Sequence, residues 1–161
     1  MSVSAEPTKM LVVDAGPLIA ASDVSEEAHE RCRQLLHEAP GPLVVPTLAV
    51  AEAAYFLRRR LGPAAELALA ASLQAGDLLP EPVDGSDWTR ICELLAEYSD
   101  LGLGITDASV LAACERLGAT KLATLDHRRF SVVRPRHCAA LTLTGVISTS
   151  TPILGASHAS C

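Results

Sequence analysis

Four carboxylates are the residues through which this sequence could do chemistry: Asp14, Glu52, Asp107 and Asp126. Asp14 closes the apolar run Met10-Leu11-Val12-Val13, and Ala15-Gly16-Pro17 follows it. Asp126 closes Lys121-Leu122-Ala123-Thr124-Leu125 in the same way. An Asp at the carboxyl end of a short buried strand stands where open α/β sheets place their ligands. Glu52 interrupts Leu48-Ala49-Val50-Ala51-Glu52-Ala53-Ala54-Tyr55, and a buried, unpaired carboxylate in such a run costs several kcal/mol or shifts its pKa. Asp107 follows Thr106 at a helix start, where the macrodipole favours the ionised form. Asp100, in Tyr98-Ser99-Asp100, is a fifth acid, read as a loop residue or an outer partner of the set.

Each acid also has a purely structural reading. Asp14 and Asp126 could be turn or cap residues, Glu52 part of an exposed stripe or a partner of Arg59, and Asp107 a first-turn residue. Gathered together, however, four carboxylates repel, and a bound divalent cation removes the penalty. Ligation by oxygen alone, without Cys or His, selects Mg²⁺ or Mn²⁺ over zinc. Such centres activate a water and stabilise charge on a phosphodiester. The formal charge is −6, and setting the four acids aside leaves −2, so the candidate site accounts for most of the acidity.

The elements that must position these residues read as alternating strands and helices. Strands are expected at Met10–Val13, Leu43–Val45, weakly at Leu78-Leu79, at Lys121–Leu125 and at Ser131–Val133. Between them, Pro17–Ala21 reads as a short helical turn and Ser25–His37 as a helix with Ala28, Cys32, Leu35 and Leu36 facing inward. A long helix Leu48–Leu61 capped by Thr47 is followed by one over Pro63–Leu73. Asp84 or Ser86 caps a helix in which Trp88, Ile91, Leu94, Leu95 and Tyr98 recur at helical spacing, and Thr106 opens another that Gly118 stops. Strands alternating with helices imply a parallel sheet covered on both faces. The stretch after Leu143 has no periodicity, so one domain over 10–143 is expected, with flexible termini at 1–9 and 144–161.

With 161 residues, about half of them apolar, the chain can bury a real core, built from Leu, Ala and Val because aromatics are scarce. The net negative charge supplies no global attraction to nucleic acid or anionic membranes, although a local basic patch remains compatible with it. The five cysteines are scattered without a C-x-x-C pair, which argues against a disulfide framework and a zinc site and for buried thiols in a reducing compartment. Residues 1–9 carry no apolar signal core and no run reaches membrane-spanning length, so a soluble cytoplasmic protein is expected.

The order of motifs resembles a PIN-domain ribonuclease, closest to VapC-like toxins of bacterial toxin–antitoxin pairs. The resemblance rests on Val12-Val13-Asp14 with Leu18-Ile19, on Val50-Ala51-Glu52, on Leu103-Gly104-Ile105-Thr106-Asp107-Ala108, and on Ala123-Thr124-Leu125-Asp126-His127-Arg128-Arg129-Phe130. It implies a three-layer α/β/α sandwich with a central parallel sheet and Mg²⁺- or Mn²⁺-dependent cleavage of RNA. Asp14, Glu52, Asp107 and Asp126 would then be the metal-binding and catalytic acids, with Thr124 as a supporting hydroxyl. The resemblance also implies a homodimer and a cognate antitoxin whose C-terminal segment lies across the groove. One departure is that Ala15-Gly16 offers no hydroxyl where the family often has Ser or Thr. Arg128 and Arg129 are the candidates for gripping RNA, or else form an antitoxin-binding rim. Three rival readings remain: a catalytically silent binding protein, a DNA nuclease, and a phosphatase using Asp14, against which Gly16 stands where a second Asp is usual.

Overall fold

A computed structural model describes residues 9–145; the segments 1–8 and 146–161, which hold most of the expected flexible termini and Cys161, lie outside the described residues. Among the described residues are five strands, β1 (Leu11–Val13), β2 (Leu43–Pro46), β3 (Leu79–Glu81), β4 (Lys121–Ala123) and β5 (Thr142–Thr144). Seven helices flank them: α1 (Ala15–Ser22), α2 (His29–Glu38), α3 (Thr47–Leu61), α4 (Pro63–Ala75), α5 (Gly85–Glu97), α6 (Ile105–Leu117) and α7 (His127–Val132). The sheet is parallel throughout, in the order β3-β2-β1-β4-β5.

That order follows from burial. Val12 and Val13 of β1, Val45 of β2 and Leu122 and Ala123 of β4 are fully enclosed, as central parallel strands covered on both faces must be. They form one core with Leu18, Ala49, Ala53, Leu57, Val110, Cys114 and Phe130. A second cluster, Ile91, Leu94, Leu103, Ala108, Leu111, Ala112 and Val133, joins α5 to α6. Pro80 lies within β3, where an edge strand tolerates a missing backbone donor. Gly118, at φ +66°, closes α6 in the left-handed conformation that a side chain would resist.

Successive connections from β1 run outward through β2 to β3, whereas β4 and β5 lie on its other side. The strand order therefore reverses between β1 and β4, and a crevice opens at their carboxyl ends. Val12 is in register with Leu122 and Val13 with Ala123, so Asp14 and Thr124 leave the sheet side by side.

Several expected elements differ. Ser131–Val133 is not a strand: Asp126 caps α7 by accepting from the Arg129 amide, and buried Phe130 anchors that helix. The fifth strand is instead Thr142–Thr144, hydrogen-bonded to β4. β4 itself ends at Ala123, short of Leu125. Thr47 begins α3 without capping it, the N-cap position being Pro46. The segment before His29 is turn rather than helix, and Ala15–Ser22 is a full helix rather than a single turn. Asp84 caps α5 through a capping box with Asp87. Trp88 is exposed, and α5 buries Asp87 and Arg90 beside Ile91 and Leu94. Cys32 and Cys114 are buried thiols as expected, but Cys92 is exposed and Cys138 partly so.

Candidate active site

The crevice is built first around Asp14. Its amide continues the β1–β4 ladder by donating to the Ala123 carbonyl at 3.0 Å. Its Oδ1 then accepts from the Ala15 amide at 2.8 Å, which makes the same side chain the cap of α1. The Thr124 hydroxyl donates to Oδ2 at 3.0 Å. These bonds hold a carboxylate that is only 6 % exposed. Burial pushes its pKa up to about 6, with Asp107 and Glu52 adding to the rise and the two hydrogen bonds opposing it.

Thr124 is fully buried and serves both strand ends. Besides donating to Asp14, its hydroxyl oxygen accepts from the Asp126 amide at 3.0 Å. Asp126 is thereby turned into the crevice, where its Oδ1 caps α7. Its Oδ2 lies 2.9 Å from Arg129 Nη1.

Glu52 and Asp107 arrive from the helices. Glu52 projects from α3 and is exposed, correcting the expectation of a buried carboxylate; it stands on the open side of the crevice. It has no contact with Arg59, whose Nη1 donates to the Tyr55 hydroxyl instead. Partial desolvation still raises the Glu52 pKa, Asp107 reinforces the rise, and the nearby Thr106 hydroxyl opposes it. Asp107 lies in the first turn of α6, and its Oδ2 accepts from the Gly104 amide at 3.1 Å. The helix start was expected to favour its charged form; burial outweighs that and raises its pKa, against the pull of the Gly104 amide and Arg129.

All four acids line one open cavity of about 770 Å³, together with Gly16, Gly104, Thr106, His127, Arg128 and Arg129. Asp100 does not join them; it lies exposed in a single 3₁₀ turn, Ser99–Leu101. Arg128 is exposed on the cavity wall, where a polyanion could reach it. Arg129, expected to grip RNA or form an antitoxin-binding rim, bridges Asp107 (3.2 Å) and Asp126 (2.9 Å) through Nη1 while its side chain stays partly exposed. The sequence reading missed that bridge and the part of Thr106 beside Glu52. The i to i+3 spacing of Asp126 and Arg129 at a helix start was the available signal.

The donor set is carboxylate throughout and includes one buried charge that no cation contacts, so it suits a hard divalent ion. As the side chains stand, no three potential ligands among the described residues are close enough together to hold an ion. A guanidinium already separates two of the four.

Comparison with known proteins agrees with this architecture. The PIN domain model matches residues 11–134. The chain is 29% identical over 125 residues to Ribonuclease VapC26 of Mycobacterium tuberculosis, an alignment spanning 78% of this chain and 93% of that protein. The crystal structure of Mycobacterium tuberculosis VapC20, described as a sarcin-ricin loop cleaving toxin, superimposes with a TM-score of 0.66 at 20% identity, covering 70% of this chain and 86% of that one. VapBC2 from Rickettsia felis, bound to a DNA fragment from their promoter, gives a TM-score of 0.60 at 13% identity, over 83% of this chain and 98% of the other. At these identities the two structures speak to the fold alone.

Proposed function

Because this chain belongs to the PIN-domain family, we propose that it is a divalent-metal-dependent endoribonuclease of the VapC type, the toxin of a toxin–antitoxin pair. The convergence of Asp14, Glu52, Asp107 and Asp126 on one cavity carries the reading, and the likeness to a protein named as a ribonuclease supports it. These four side chains would hold Mg²⁺ or Mn²⁺, which when bound activates a water and neutralises charge on the scissile phosphate.

The chain's own groups prepare that chemistry. Ala15 N–H and Thr124 fix the orientation of Asp14, and Thr124 fixes the Asp126 backbone. The Gly104 amide holds Asp107. Arg128 offers an exposed cation at the wall where the RNA backbone would pass. The cavity's negative charge suits a basic segment of an antitoxin laid across it, and a second copy of this chain would complete the assembly. No helix among the described residues is long and apolar enough to cross a membrane.

The test incubates the purified chain with structured RNAs, a sarcin–ricin stem-loop among them, and with matched DNA, in Mg²⁺ or Mn²⁺ and then in chelator. Cleavage of RNA that stops in chelator and in Asp14→Asn is the expected result. Cleavage unchanged by chelator, or undiminished in Asp14→Asn, overturns the reading. Cleavage of DNA alone, or binding without cleavage, would favour the rival nuclease or the silent binding protein.

A further inference from the structure

Arg129 occupies the ground that a cation would need. One nitrogen of its guanidinium, Nη1, reaches Oδ2 of Asp107 at 3.2 Å and Oδ2 of Asp126 at 2.9 Å. Asp107 Oδ2 also accepts from the Gly104 amide, and Asp126 Oδ1 accepts from the Arg129 amide, so two bonds hold each carboxylate in place around the guanidinium. The Arg129 side chain is 39% exposed, which leaves it room to swing outward without unfolding anything. Its backbone lies in α7, three residues beyond Asp126, so the charge is tethered at the site's edge whichever way the side chain turns.

We propose that Arg129 is a built-in competitor for the divalent cation, neutralising Asp107 and Asp126 until an ion displaces it. This rests on the reading of the cavity as a metal centre. A guanidinium and a metal ion cannot use the same oxygen lone pairs, so a site held mostly by Arg129 binds metal with an affinity lowered by the fraction left open. A partly exposed ion pair of this kind is weak enough to yield, and a reduction of about three- to sixfold is what such a pair gives. The site's metal affinity would thus be set by a side chain that is not a ligand.

Calorimetric titration of Mn²⁺ into the full chain tests the proposal, comparing the parent with Arg129→Ala, Arg129→Lys, Arg128→Ala and Asp14→Asn. Arg129→Ala should bind Mn²⁺ at least threefold more tightly. Arg128→Ala, which removes an equal charge from the same wall without breaking an ion pair, should change affinity less than twofold. In the parent, the Arg129 Nε–H resonance should move in step with Mg²⁺ occupancy, a readout that needs no substitution and holds if a variant folds poorly. Equal or weaker binding in Arg129→Ala, or an Arg129 signal indifferent to Mg²⁺, overturns the competitor while leaving the metal centre intact. Absence of binding in the parent, Arg129→Ala and Asp14→Asn alike would instead remove the metal reading, and this proposal with it.

Discussion

Two groups of four acids lie in this small fold, and the chain treats them in opposite ways. Around α5 and α6, Glu81 of β3, Asp87, Glu93 and Glu115 meet three arginines. Arg90 grips Glu115 with two nitrogens (2.8 and 3.0 Å) and Arg116 grips Asp87 likewise, while Arg136 donates to Glu93 at 2.6 Å. Around the cavity, Arg129 pairs with Asp107 and Asp126, and Asp14 and Glu52 have no ion-pairing cation among the described residues. The first group is a structural joint whose most enclosed acids, Asp87 and Glu115, are matched by planar, bidentate partners. The second is under-neutralised, and burial lifts the pKa of three of its members, Asp14, Glu52 and Asp107. What separates a joint from a candidate catalytic centre here is the shortage of fixed positive charge rather than the number of acids.

The largest effect should come from breaking the joint. Arg90→Ala leaves Glu115 partly buried without its bidentate partner, and urea denaturation should show a loss of about 3–5 kcal/mol. Asp14→Asn should do the reverse at the cavity. The Asp14 carboxyl titrates near 6 in the fold against an ordinary 3.8, so the fold favours its protonated form. In chelator, that contribution should be complete below about pH 4 and lost as pH rises through 6, amounting to about 3 kcal/mol. At pH 7.5 the Asn variant should therefore be the more stable protein, with a flatter pH profile by thermal melting, and inactive on RNA. Thr124→Val removes the hydroxyl shared by Asp14 and Asp126; a stability loss of about 1–3 kcal/mol is expected, with RNA cleavage slowed at least tenfold. The smallest effect marks the baseline. Arg58→Ala breaks an exposed pair with Glu66 and should stay within about 0.5 kcal/mol by the same denaturation.

The residues of the cavity were far more legible than the joint. Asp14 and Asp126 could be seen at strand ends because short apolar runs stop abruptly there, and the parallel pairing of β1 with β4 then brings the two ends together. Arg90 could not be seen, since the pattern on α5 points to Trp88, Ile91 and Leu94 as the inner face. The partner that makes Arg90 tolerable in the interior is Glu115, 25 residues away on another helix. Val132-Val133 looks like a strand because β-branched residues favour one; the cap on Asp126 and the anchoring of Phe130 decide otherwise. Thr142–Thr144 is too short to show alternation and acquires its identity only from β4. Glu52 was expected inside because apolar residues surround it, yet of its immediate chain neighbours only Ala53 is buried, and the acid stands exposed at the open side of the cavity. At Asp107 two opposing influences are both real, and only coordinates reveal that desolvation exceeds the helix-start effect.

The Thr124 amide donates to the Thr144 carbonyl at 3.0 Å, and the next carbonyl, that of Gly145, is clasped by Arg31 from α2. The last described strand is therefore a buttress, one peptide removed from the hydroxyl that aims Asp14. Trimming the chain back into β5, or fusing a bulky domain immediately after it, should detune catalysis well before it lowers the melting temperature.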